Sequence, residues 1–249
     1  MMIIELLLLG TAVGVLSGFF GIGGGTILVP ALLFIGFDMK TAVGISIVQM
    51  VFSSIYGSYL NSKKGTLDVK TVLFIGFGGF AGALMSSWVV ATLDAVVLEA
   101  IFLGFVLTAL TRLYFKKLED MGEPRTAHPA LLFAVGAVLG LFSISIGVGG
   151  SILLVPLLVG FLHVPLKNAI SAGLFFVVFS SVSGFIGFSA AGRIDYTAGL
   201  TIGIASMLGV FIGIALKHRS SDALQKRLLV LFYLIVSGYI LYRLVTQHG

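Results

Sequence analysis

Long stretches without a charged residue restrict this chain to very few folds. They are residues 6–37, 41–62, 71–93, 126–166, 168–192 and 196–216. A helix needs about 20 mostly apolar residues to cross the hydrocarbon core of a bilayer, and each stretch supplies that length. Too little polar sequence remains to cover a soluble domain. We therefore predict an all-α polytopic membrane protein.

The composition excludes several classes of function. Apolar residues make up 58% of the 249 residues and charged residues only 10%, against about 25% charged in an average globular protein. The net charge of +5 comes from short basic clusters beside the apolar stretches, a pattern that reports membrane orientation rather than nucleic-acid binding. The chain has no cysteine, and at membrane depth it offers neither a nucleophile with a base nor paired carboxylates. We predict no enzyme, no cofactor, no metal site and no nucleic-acid partner.

An internal repeat divides the chain into two related halves. Residues 21–30 (GIGGGTILVP) match residues 147–156 (GVGGSILLVP), and weaker matches continue on both sides of this pair. We call these segments the first and second glycine motifs. The sequence predicts a first transmembrane repeat over 1–117, a polar linker over 118–127 and a second repeat over 128–249.

Each half divides into five apolar segments, of which the second is too short to cross a bilayer. It runs from Gly24 to Phe37, or from Gly150 to Leu162, which is roughly 20 Å of helix against a hydrocarbon core of about 30 Å. The glycine motifs therefore predict broken or re-entrant helices. Because cytoplasmic loops are enriched in Lys and Arg, the distribution of basic residues tests the orientation of the halves. Inverted halves place 12 of the 15 basic residues on one side and parallel halves place nine there, so we predict two inverted repeats, with the central loop in the cytoplasm and both termini outside.

The glycine motifs are also the predicted substrate site. In inverted repeats with broken helices, the binding site lies at the repeat interface near the midplane, and the free N–H groups of a helix N-terminus attract an anion. The candidate residues are Gly23, Gly24, Gly25, Thr26, Gly149, Gly150 and Ser151. The alternative is that these glycines only permit close helix packing.

Uncharged polar side chains on the third segment of each half complete the candidate substrate-binding set. They are Ser46, Gln49, Ser53, Ser171 and Ser180. The first three lie at helical spacing on one face. Hydroxyl and amide groups in a helical bundle also form purely structural interhelical hydrogen bonds, and that alternative stays open. No charged residue lies near the centre of a segment, which disfavours cation transport because buried carboxylates are the usual cation ligands.

The paired glycine motifs resemble those of the sulfite exporter TauE/SafE family of membrane transporters. The resemblance covers both halves and implies transport of a small sulfur-containing anion, such as sulfite or an organosulfonate, across the bacterial inner membrane. It also implies that the site residues are those of the two motifs. The second motif departs from the first at Ser151 and Ile152, where the first has Gly25 and Thr26.

These observations lead to one functional hypothesis and its alternatives. We predict a transporter that exports a small anion by alternating access at a midplane site between the two repeats. The alternatives are an importer or channel for another small anion, such as a carboxylate or a sulfur oxyanion, and a membrane scaffold without transport activity. The predicted partners are the anionic substrate and the lipid bilayer, and homo-oligomerisation stays open.

Overall fold

The computed structural model describes residues 2–67, 69–92, 94, 96–97, 100, 103–104, 107–108, 110–111 and 127–248. Every regular element bounded within these ranges is an α-helix. The helices are α1 (Met2–Phe20), α2 (Gly25–Ile35), α3 (Met39–Lys63), α4 (Val69–Leu84), α5 (Ser86–Thr92), α6 (Pro129–Ser145), α7 (Ser151–Phe161), α8 (Leu166–Ala190), α9 (Tyr196–Arg219) and α10 (Asp222–His248).

The lengths of these helices confirm the prediction of an all-α polytopic membrane protein. By length and composition, α1, α3, α8, α9 and α10 each contain a segment that can cross a membrane. The helices α2 and α7, which follow the glycine breaks, have 11 residues each and are therefore only about 16 Å long. Neither can cross the bilayer alone.

A polar residue begins the long helix α3, two residues after Gly36 has ended α2. Asp38 is the N-cap of α3, and its carboxylate accepts hydrogen bonds from the backbone N–H groups of Lys40 and Thr41, at 3.0 and 3.1 Å. A hydrogen bond from the Thr41 side chain is the largest cause that lowers the pKa of Asp38. An ionised cap of this kind also favours the positive end of the helix dipole.

The predicted fourth segment of the first half is not one helix. A break at Met85 separates α4 from α5, where the Met85 N–H bonds the Gly82 carbonyl and the Ser86 hydroxyl bonds the Ala83 carbonyl at 2.6 Å. Both bonds span three residues, instead of the four that a backbone hydrogen bond spans in a regular α-helix. Of the predicted linker, all residues except Ala127 lie outside the described residues, and so does most of the fifth segment of the first half.

Close helix packing follows glycine stripes. Helix α1 lies against α9, and α4 lies against α6. In each pair a glycine faces the backbone of the neighbouring helix: Gly14 faces Ser206, and Gly82 faces Ala137. Such contacts need a residue without a side chain, because any Cβ would overlap the facing backbone.

Helices α3 and α8 form the centre of the molecule and run in opposite directions. Near one end of the pair, Asn61 of α3 and Ser171 of α8 bind the same lysine amine. Near the other end, Gly44 of α3 meets the carbonyl of Arg193, which follows α8. Opposite directions of equivalent helices are what an inverted pair of halves requires. The side of the membrane on which each end lies stays a prediction.

Candidate functional site

Each glycine motif forms the same left-handed backbone turn. The φ angles are 69°, 74° and 84° at Gly21, Gly23 and Gly24, and 74°, 80° and 87° at the equivalent residues 147, 149 and 150. Glycine adopts these angles without the steric cost that a Cβ brings. The turn therefore explains why both halves carry three glycines at the same spacing.

Each turn leads directly into the N-terminus of a short helix. Gly24 and Gly150 are the N-caps of α2 and α7, and neither cap forms a side-chain hydrogen bond. The N–H groups of Gly25 and Thr26 have no acceptor within α2, and no other backbone hydrogen bond from them occurs among the described residues. Free donors at the positive end of a helix dipole are an anion-binding arrangement.

The two motifs contact each other across the centre of the molecule. A Cβ on Gly25 would overlap the carbonyl oxygen of Gly147 and would lie 2.6 Å from the Ser46 hydroxyl. That hydroxyl donates to the Gly147 carbonyl at 2.8 Å. Ser46 of α3 therefore holds the second motif against the N-terminus of α2.

Two equivalent serines hold the loops of the motifs. The Ser53 hydroxyl on α3 donates to the Gly23 carbonyl at 3.3 Å, and the Ser180 hydroxyl on α8 donates to the Gly149 carbonyl at 3.0 Å. Both serines are fully buried. Because these hydroxyl groups donate to motif carbonyls, they fix the position of each motif at the start of its short helix.

Gln49 is the polar side chain of α3 that faces the first motif without a partner. It is fully buried, and neither its amide oxygen nor its amide nitrogen forms a hydrogen bond. A Cβ on Gly24 would lie 2.6 Å from Oε1 and 2.7 Å from Nε2. A buried polar group without a partner costs about 1–3 kcal/mol, so this amide is suited to a ligand that would bind it.

The second motif has an aromatic ring where the first has the amide. Phe176 of α8 is the repeat equivalent of Gln49, and a Cβ on Gly150 would lie 2.5 Å from its Cε1. The two helix N-termini therefore differ in the nearest side chain of the central helix pair, which is an amide at α2 and an aromatic ring at α7.

Several other buried hydroxyl groups around the motifs also lack partners. They belong to Ser17, Thr26, Ser143 and Ser151, each at most 2% exposed. The Ser143 hydroxyl would lie 3.1 Å from a Cβ on Gly150. Thr26 also borders an apolar groove of about 330 Å³ between α2 and α10. With Gln49, these groups form a set of uncharged donors around the helix N-termini.

Two apolar side chains close the space between the motifs. The sulfur of Met50 would lie 2.6 Å from a Cβ on Gly149 and 3.0 Å from one on Gly25, and Val177 would lie 2.9 Å from a Cβ on Gly23. Met50 and Val177 are fully buried equivalents from α3 and α8. This conformation of the site is therefore occluded.

Ser171 lies in a different polar cluster from the other candidate residues. Its hydroxyl accepts from the amine of Lys217 at 2.9 Å and pairs with the Thr66 hydroxyl at 2.8 Å. Helix α9 continues to Arg219, so Lys217 lies within this helix rather than in the loop after it, and its side chain is fully buried. The sequence signal was weak, because Asn61 and Ser171 are two of several polar residues on α3 and α8.

A hydrogen bond to the interior of α7 was not predicted either. Pro156 has no N–H group, so the carbonyl of Ile152, four residues earlier, has no donor within the helix. The hydroxyl of Tyr233 on α10 donates to that carbonyl at 2.6 Å, and the tyrosine is fully buried. This bond fastens α10 to the short helix that begins at the second motif.

The comparisons with known proteins agree with this architecture. A family model described as sulfite exporter TauE/SafE matches residues 6–240. Similar relatives include the probable membrane transporter protein YunE of Bacillus subtilis, 24% identical over 95% of this chain and 94% of its own, and the probable membrane transporter protein YdhB of the same organism, 24% identical over 80% and 84%. The probable membrane transporter protein MJ0441 of Methanocaldococcus jannaschii is 28% identical over 77% and 74%. No solved structure matches the chain significantly. These findings support membrane transport as the function.

Proposed function

The chain belongs to the sulfite exporter TauE/SafE family, and from that membership we propose that it exports a small anion, such as sulfite or an organosulfonate, across a bacterial inner membrane. The anion binds between the two glycine motifs. Transport, rather than catalysis, is the function that such a site serves, because its polar groups are hydrogen-bond donors without a nucleophile and base.

The observation that carries the proposal is the N-terminus of α2, which adjoins the turn of the second glycine motif. The free N–H groups of Gly25 and Thr26 lie beside the second motif, with the unpartnered Gln49 amide next to them. No charged side chain is among the nearest neighbours of the motif glycines in the described part of the chain. Donors without a nearby carboxylate favour an anion over a cation.

Alternating access follows from the arrangement of the halves. In a transporter built from inverted repeats, one half moves against the other around a fixed central site. Met50 and Val177 close that site from α3 and α8 in the present conformation, so opening requires these two helices to separate on one side. A potential that is negative inside favours anion efflux by about 2.3 kcal/mol per charge for each 100 mV.

The test is sulfite flux in proteoliposomes at an imposed membrane potential, with Gly24→Ala beside the wild type. The new methyl group meets the Gln49 amide and displaces it from the helix N-terminus. Loss of a hydrogen bond to a charged ligand costs about 1.5–3 kcal/mol, so we expect sulfite flux to fall by roughly 10- to 100-fold.

Gly192→Ala is the matched control. Gly192 has a φ of 65°, which gives the alanine a similar backbone strain, but nothing lies within 4 Å of its added Cβ. Equal loss of flux in both variants would mean that strain, rather than the site, explains the effect. The importer or channel alternative would be favoured by either of two results. One is flux of a carboxylate without flux of sulfite, and the other is flux that proceeds only inward.

A further inference from the structure

A second buried polar cluster lies away from the glycine motifs, around the amine of Lys217. This amine donates to the Asn61 side-chain oxygen at 2.5 Å and to the Ser171 hydroxyl at 2.9 Å. Thr66 adds its hydroxyl at 2.8 Å from that of Ser171. We call these four residues the lysine cluster. Lys217, Asn61 and Ser171 are fully buried.

The amine at the centre of this cluster is buried without an acidic partner among the described residues. Lys217 forms no ion pair with any described residue, and its two hydrogen-bond partners are neutral. The nearby Asp222 carboxylate pairs instead with the amine of Lys167 at 3.3 Å. A buried charge is costly to keep unless something compensates it, and an ionisable group within a membrane-spanning helix usually has a functional role.

Donors remain available in the cluster. An ammonium group has three N–H donors, and the structure shows hydrogen bonds from Lys217 to two side chains. The Asn61 side chain is fully buried, and its amide nitrogen has no partner. The Lys217 amine and the Asn61 amide nitrogen therefore adjoin within one buried site, and an anion would satisfy both donors.

The cluster is also connected to the glycine motifs. Ser171 follows Ile170, whose carbonyl contacts Gly21 at the start of the first motif. Asn61 lies eight residues after Ser53 on α3, a distance of about 12 Å along the helix. An anion in the lysine cluster would be about that far from the central site.

We propose that the lysine cluster is a second anion-binding site, which exchanges the anion with the central site from the end of the bundle that carries Lys167 and Asp222. Its part in transport rests on the proposed function, whereas its binding of an oxyanion does not. The ligand is a small oxyanion such as sulfite or sulfate, held by the ammonium group of Lys217 and the amide nitrogen of Asn61.

A single cysteine provides a local test, because the chain has none of its own. The test uses a Thr66→Cys variant and compares its rates of labelling by a negatively charged and by a positively charged methanethiosulfonate reagent. Each rate is measured in sodium sulfate, the protecting anion, and in sodium chloride at equal ionic strength as the reference. The ratio of the two rates cancels changes in thiol reactivity. We expect faster labelling by the negative reagent, and protection by sulfate that saturates.

Three further substitutions in this background decide the outcome. Lys217→Met removes the amine, and Asn61→Asp places a carboxylate beside it. Each substitution should raise the sulfate concentration that gives half protection at least about tenfold. Lys217→Arg should retain protection. Lys64→Met is the control for these substitutions, since it removes an exposed charge near the same end of α3 and should change nothing. Sulfate protection that is unchanged by Lys217→Met would overturn the proposal, as would an equal loss of protection with Lys64→Met.

Sulfite flux then separates this proposal from the function on which it rests. If the wild type transports sulfite, Lys217→Met should raise the half-saturating concentration measured from the side of the lysine cluster by at least about tenfold. If the wild type transports neither sulfite nor an organosulfonate but sulfate protects the introduced thiol in a way that depends on Lys217, the lysine site stands and the proposed function fails.

Discussion

Replacing Gln49 with methionine should stabilise the protein and strongly reduce its transport activity. The two side chains are similar in length and volume, so the substitution removes a buried amide without leaving a large cavity. Both polar atoms of that amide are unpartnered, and a buried unsatisfied group costs about 1–3 kcal/mol. We expect Gln49→Met to raise the free energy of unfolding by about that amount. The Tm should rise by about 2–4 °C for each kcal/mol.

The assay is thermal unfolding of the detergent-solubilised protein, followed by sulfite flux in proteoliposomes. Flux should fall by roughly 10- to 100-fold, because the anion loses a donor beside the N-terminus of α2. Ser54→Ala is the control on the same helix, since this buried hydroxyl bonds only the Val51 carbonyl one turn away. A lower Tm together with unchanged flux would refute the reasoning, because the amide would then be a structural group.

Two further substitutions test the supports of the site. Tyr233→Phe should lower the free energy of unfolding by about 1–3 kcal/mol, because the Ile152 carbonyl loses its donor. Chemical denaturation measures this free energy, and an unchanged value would mean that another group donates to that carbonyl. Met50→Ala should open the space between the motifs, which is now occluded, and should cost about 2–5 kcal/mol of stability. Access of an anionic thiol reagent to the cysteine of a Ser46→Cys variant, which lies beside Gly25, should then increase, and unchanged access would show that Met50 does not close the site.

The parts of the fold that were predictable are those with a local cause. The breaks at the motifs follow from glycines whose φ angles are positive at Gly24 and Gly150, and glycine spacing is visible in a sequence. The crossing helices follow from length and apolarity alone. The break at Met85 was not predictable, because no proline marks it, Gly82 resembles the other packing glycines of α4, and the bonds that form the break come from the Met85 backbone and a serine of ordinary helical context.

The parts of the site that were not predictable depend on the neighbours of each helix. Helical spacing showed that Ser46, Gln49 and Ser53 share a face, but it could not show that only Gln49 lacks a partner. Ser171 satisfied the same pattern and instead contacts Lys217. A lysine near the end of a membrane helix usually extends its amine to the interface. The amine of Lys217 instead binds Asn61, which lies 156 residues away in the sequence, so the sequence near Lys217 could not show its burial.

The difference between Gln49 and Phe176 bears on how the proposed transporter works. In inverted repeats, the two halves exchange roles as access switches from one side to the other. The polar neighbour of α2 and the apolar neighbour of α7 therefore make the two open states unequal in their affinity for the anion. Unequal affinities cannot set the direction of a passive carrier, because binding and conformational change are thermodynamically linked around the cycle. The direction follows from the concentration gradient and the membrane potential, and the asymmetry of the site sets the anion concentration at which each face saturates.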